Sequence, residues 1–194
     1  MMNYLSKLIH GASILIMLGS FAFAQITVTD IDGNTYKTIT VGDQVWMAEN
    51  LKVTQYRDGT PVTLVTDNTE WANLSTEAYC IYNNNAWAEL DTYGALYNWY
   101  TVNDSRNIAP DGWHIPTDAE WKELEMALGM SQSEADGRGD RGTNEGSKLA
   151  GNASLWTNGV LESNTEFNTS GFAALPAGLR RETDGTFGYN GSRT

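Results

Sequence analysis

Apolar positions recur at helical spacing most clearly after Pro116, at Trp121, Leu124 and Leu128, with Lys122, Glu123 and Glu125 between them. Thr117 followed three residues later by Glu120 is a capping box. The Thr hydroxyl accepts from the Glu120 backbone N–H, and the carboxylate reaches back to the Thr117 N–H. Asp118 places negative charge where the helix dipole favours it, and Gly129 offers a C-terminal stop. The pattern predicts a helix over 117–128. Upstream, Ala95, Leu96, Trp99 and Val102 form a second apolar stripe and predict another short helix. Pro110-Asp111-Gly112 is a turn signal between the two.

Residues 26–56 read as strands instead. Asp32-Gly33-Asn34 is a hairpin turn between Val28–Ile31 and Tyr36–Ile39, and Val41-Gly42-Asp43-Gln44 turns again into Val45-Trp46-Met47. Asp30, Asp32 and Asn34 alternate as calcium ligands do, but no carboxylate follows at the EF-hand distance, and a turn accounts for all three. Asp58-Gly59-Thr60-Pro61 is a further turn before the short strand Val62–Val65. Residues 78–82 read as a buried strand that carries Cys80, the single cysteine of the chain. From Ser131 to Asn158 the chain is polar and Gly-rich and predicts a long surface loop, with Ser147-Lys148-Leu149 and Leu155-Trp156 turned back onto the core. Asp136, Asp140, Asn144 and Glu145 are cation-ligand types in that loop, and solvated turn residues are the simpler reading. Arg138-Gly139-Asp140 spells an integrin tripeptide, which such a composition produces by coincidence. Residues 172–180 read as a central strand broken at Pro176, and Thr183–Gly188 as the next turn.

Residues 1–24 change the picture. Lys7, the apolar run 8–23 and Ala22-Phe23-Ala24 make a secretory signal peptide, cleaved before Gln25. Residues 25–194 then form one secreted or cell-surface domain, with no membrane span once the signal is removed. Acidic residues number 24 against 12 basic, a formal net charge of −12, which excludes the basic footprint of a nucleic-acid binder. Seven Trp and nine Tyr exclude disorder. Asn-x-Ser/Thr triplets at Asn73, Asn103, Asn152, Asn168 and Asn190 follow from an Asn-rich composition.

Several words of the sequence resemble a family of secreted bacterial domains, the Fibrobacter succinogenes major paralogous domain. They are Val45-Trp46-Met47-Ala48-Glu49-Asn50-Leu51, Tyr93-Gly94-Ala95-Leu96-Tyr97-Asn98-Trp99, residues 112–121 (GWHIPTDAEW), residues 146–151 (GSKLAG) and residues 171–178 (GFAALPAG). The family is similar to the C-type-lectin-like group that includes the formylglycine-generating enzymes. The resemblance implies an α+β, C-type-lectin-like fold with two short helices packed on a small, mostly antiparallel sheet and long loops. Trp46, Leu51, Leu96, Trp99, Trp113, Trp121, Leu124, Phe172 and Leu175 are its expected core. It also implies closing strands after Thr194, one of them bearing a cysteine, so that this chain is expected to lack its last strands and to leave an open sheet edge. On that reading Cys80 is half of a disulfide whose partner lies beyond Thr194; a small buried hydrophobe is the other reading.

Three function classes fit. An extracellular binding or adhesion module, with carbohydrate as a candidate partner, draws on export, acidity and aromatic faces that stack on sugar rings. A structural spacer needs no site. An enzyme would need convergent groups, and Cys80 with His114, the one histidine after the leader, is the only nucleophile–base pairing on offer. The cysteine pair of the formylglycine-generating enzymes and the Glu-Pro-Asn and Gln-Pro-Asp words of calcium-dependent lectins are missing from the sequence. The sequence therefore points to no catalytic residue, cofactor or metal ligand.

Overall fold

The computed structural model describes residues 27–85 and 87–192; the leader, its cleavage point before Gln25 and Thr194 lie outside them. Both expected hairpins form. β1 (Thr27–Thr29), β2 (Thr35–Val41) and β3 (Gln44–Met47) make an antiparallel sheet in the order β1-β2-β3. Gly33, with φ of 85°, turns the first hairpin. Val41 pairs with Gln44, so the second closes on the two residues Gly42-Asp43. The carboxylates of the first turn are engaged internally. Asp30 is buried and accepts from the Asn34 backbone and amide (2.9 Å each) and from the Tyr36 hydroxyl (2.5 Å). Asp32 accepts from Thr54 and Gln55, fastening the hairpin to the next segment.

That segment turns at Gly59 as expected, with Tyr56 and Thr60 hydrogen-bonded across it. Residues 62–65 differ from the expected strand: Leu64 makes a single parallel bridge to Tyr79. Asp67 caps α1 (Asn68–Ala72), an element whose apolar pattern is too short to read in advance. The buried strand at Cys80 is present as β4 (Tyr79–Cys80), paired antiparallel with β5 (Leu96–Tyr97).

The helix expected through Ala95, Leu96, Trp99 and Val102 is corrected. Leu96 falls in β5 and Trp99 and Val102 in the single turn α3 (Trp99–Val102), while Ala95 precedes β5 after α2 (Trp87–Tyr93). Gly94 separates α2 from β5 at φ of 73°, and Asn98 caps α3 by accepting from Thr101 N–H. The pairing of Leu96 with Cys80 overrides the local helical spacing.

α4 (Asp118–Ala127) carries the predicted capping box with both reciprocal bonds in place. The loop expected over 131–158 is corrected as well: it contains α5 (Gln132–Ala135), with a capping box of its own between Ser131 and Glu134, and α6 (Glu145–Leu149). Ser147 and Trp156 are buried, as expected, and Arg138-Gly139-Asp140 stays exposed. The expected central strand over 172–180 shrinks to a parallel bridge, Ala150 to Ala174, and to β6 (Leu179–Arg180), which pairs with β7 (Phe187–Gly188) around Gly185. Ala173 at φ of 58° breaks the extended run. The domain is thus α+β, with small antiparallel sheets and six α-helices among the described residues in place of the two expected.

Three buried clusters hold it together: one around Val53, Tyr56, Val62 and Ile108, one around Val65, Trp71, Ala78 and Cys80, and one of Val41, Trp46 and Leu124 between the β2–β3 hairpin and α4. Of the expected core, Trp46 and Leu124 are buried, and Leu51, Leu96, Trp113, Phe172 and Leu175 are half-buried. Trp121 is 39% and Trp99 is 68% exposed, which corrects both.

Candidate functional site

The exposure of Trp99 follows from local chemistry. Trp99 and Tyr100 are consecutive, and one helical turn cannot face both toward the same neighbour. The residue the turn buries is Thr101, fully enclosed, whose hydroxyl donates to Ala78 O and accepts from Ala78 N–H, 2.9 Å each. Asn98 adds a bond from its amide to Thr76 O and accepts from Ala78 N–H. α3 is therefore strapped to residues 76–78, and Trp99 and Tyr100 (47% exposed) project from a rigid base.

Polar groups ring these aromatics. Ser75, Thr76, Glu77, Asn103, Asp104 and Ser105 line the same shallow depression, about 400 Å³ in volume. Arg106 organises its acidic side, pairing with Asp104 at 2.6 Å and Glu77 at 3.4 Å while its guanidinium lies 4.0 Å from the centre of the Tyr56 ring. The Arg106 side-chain hydrogen bonds above all, and then the one from its backbone N–H, hold the Asp104 carboxyl down at about 2, so it is charged at any physiological pH. Two aromatic faces beside fixed carboxylates, an amide and hydroxyls are suited to a flat polyhydroxylated ligand, with stacking against ring C–H and hydrogen bonds at the rim.

A larger cleft of about 1270 Å³ opens between β3, the 109–116 loop and the start of α4. Trp46, Trp121 and Phe172 pack in tilted contact along one wall, with ring centres 5.0 to 6.1 Å apart. His114 lies at the rim, its Nε2 2.6 Å from Glu120 Oε1. Glu120 is the capping-box residue; bonds from the Thr117 backbone above all hold its carboxyl below the usual range, against the opposing effect of burial. Its second oxygen accepts from both Thr117 N–H and hydroxyl, so the carboxylate is committed to the helix start. Arg57 fixes the loop from behind by donating to the carbonyls of Ala109, Pro110 and Trp113.

Cys80 stands elsewhere. It is fully buried between Val65, Trp71 and Ala78, does not line that cleft, and is a free thiol. Burial pushes it up to about 11, opposed by the neighbouring Arg180, which leaves the thiol protonated and unlike an activated nucleophile. The structure does not bring Cys80 and His114 together. The cation candidates are also dispersed. Asp136 pairs with Lys122 at 3.2 Å and accepts from Gln132, while the buried Glu145 accepts from the Thr143 and Asn144 backbone. Among the described residues no group of three or more His, Cys, Asp or Glu converges on a metal position.

Sequence reasoning missed the Trp99–Tyr100 platform by assigning Trp99 to the core, although the adjacency of two large aromatics on a helical turn was a usable signal. It also missed Arg180. That buried guanidinium donates to the carbonyls of Gly185, Val65, Thr66 and Asp67 and to Asn68 Oδ1, and it lies against Trp71 (4.5 Å) and Phe187 (4.8 Å). Nothing local marks Arg180, because four of its five acceptors lie more than 110 residues away.

These features define a small α+β domain with a rigid exposed aromatic platform and an aromatic cleft. Residues 39–194 match the Fibrobacter succinogenes major domain, and the chain belongs to that family. No curated protein and no solved structure matches it.

Proposed function

We propose that this chain is an extracellular binding module that takes carbohydrate on the Trp99–Tyr100 platform. The observation that carries the reading is the exposure of Trp99 on a turn that Thr101 and Asn98 tie to residues 76–78. An exposed indole on a mobile loop would lose backbone freedom on binding; on a strapped turn that freedom is already lost beforehand. Glu77, Asn103 and Asp104 at the rim are the hydrogen-bonding partners for sugar hydroxyls. Acidity agrees with this reading, since a neutral glycan needs no basic face. A C-type-lectin-like arrangement belongs to the same proposal, supported by short antiparallel pairs, long connections and α4 packed over the β2–β3 hairpin.

A glycan array run with and without chelator tests it. Binding is expected to survive chelation and to fall at least about tenfold in Trp99→Ala, a loss of roughly 1.4 kcal/mol or more. Silence across a broad array would favour a structural spacer. Export is part of the proposal too: N-terminal sequencing of the extracellular protein is expected to begin at Gln25, and a chain that retains Met1 would contradict it.

A further inference from the structure

β3 is an edge strand, and its edge opens into the large cleft. Val41 with Gln44, Ile39 with Trp46 and the bond from Ala48 N–H to Lys37 O are the hydrogen-bonded rungs toward β2. The backbone N–H and C=O of Val45 and Met47 therefore point the other way, where β3 has no neighbour among the described strands. The cleft lining runs from Asp43 to Leu51 without a gap. A strand seen on its face shows every second residue; a continuous run shows its edge. Open edges are ordinarily blunted by Lys or Pro, and Gln44-Val45-Trp46-Met47 carries neither.

Across the cleft, residues 172–174 line the space, and Ala174 exchanges backbone bonds with Leu149 and Gly151. The walls between these edges are apolar, with Trp46, Trp113, Trp121, Trp156 and Phe172. Among the described residues the charged lining is acidic: Asp43, Glu49, Glu120 and Asp140, with His114 on Glu120 and no Lys or Arg. An occupant must supply backbone hydrogen bonds along one edge, apolar side chains toward the aromatic wall and positive charge toward the rim.

We infer that the cleft is a strand-addition site that takes an extended polypeptide segment with alternating cationic and apolar residues, paired with the outer edge of β3. Main-chain bonds to Val45 and Met47 provide affinity, and the aromatic wall and acidic rim select the side chains. This site is separate from the carbohydrate platform.

The test is anisotropy of a labelled peptide of alternating Lys and Val, titrated with the whole chain. Two control peptides accompany it, one with Glu in place of Lys and one N-methylated at alternate residues. Val45→Pro removes the outward N–H of β3 without touching the rungs to β2. Binding of the Lys-Val peptide is expected, weakened at least about tenfold by N-methylation, by Glu for Lys and by Val45→Pro, and unchanged in Trp99→Ala. Should Val45→Pro not fold by circular dichroism, the N-methylated peptide decides. No binding of the Lys-Val peptide overturns the inference, as does equal binding of the N-methylated or Glu-containing peptide. Sedimentation showing a dimer that Val45→Pro dissolves would assign the edge to a second copy and overturn it too.

Discussion

Arg180 lies buried against Trp71 and Phe187 and, among the described residues, meets no carboxylate; carbonyl oxygens and one amide oxygen disperse its charge. The guanidinium's flat fork matches several carbonyls at once, which an ammonium cannot do. Arg180→Lys should therefore destabilise the domain by about 2–4 kcal/mol, because buried acceptors lose their donors; urea unfolding followed by tryptophan fluorescence measures it. Glu120 supports a prediction with a pH signature. Its folded-state pKa is depressed, so its contribution is complete above the unfolded value and is lost as pH falls through the folded one. Glu120→Gln should cost about 1 kcal/mol at neutral pH, and the gap from the natural protein should close in acid. Urea midpoints at about pH 7 and about pH 3 check this, and a gap that widens in acid would contradict it. Glu120 was legible as a cap because its partner is three residues away. Arg180 was not, because its role depends on which distant carbonyls the fold brings to it.

At the level of elements, legibility tracks the range of the forces involved. α4 and the two N-terminal hairpins are specified by a capping box and by turns of two or three residues, and all three form where the sequence places them. The stretch from Ala95 to Val102 carries helical spacing too, yet Leu96 pairs with Cys80 and only one turn of helix survives. Gly94 decides that boundary. Its backbone is left-handed, and a Cβ there would lie 2.7 Å from Leu51 O and from Asn50 Cβ. Gly94→Ala should cost about 2 kcal/mol or more, seen as a lower unfolding midpoint. Asparagine takes a related role at Asn83, Asn84, Asn107, Asn152 and Asn168, all left-handed. Two of the Asn-x-Ser/Thr triplets, at Asn152 and Asn168, thus have a structural reason for their asparagine.

Over the described residues, exposed aromatic side chains stand at Trp99 and Tyr100 on the platform, at Trp121 by the cleft and at Tyr189, and the chain is acidic as a whole. Among the described residues no helix is long and apolar enough to cross a membrane. Composition foretold the aromatic surface without locating it. Nothing in a single sequence says which of seven tryptophans a tertiary contact will cover, and the rule that large aromatics belong inside pointed the wrong way for Trp99. The proposed binding role puts Trp99 against the ligand. Its most direct test is a ¹⁵N spectrum of the indole N–H groups during titration with an oligosaccharide selected on the glycan array. The Trp99 resonance is expected to move progressively and saturably while those of Trp71 and the buried Trp156 stay in place. A saturable shift confined to the cleft residues Trp46, Trp113 and Trp121, with Trp99 unmoved, would contradict a binding role for the platform.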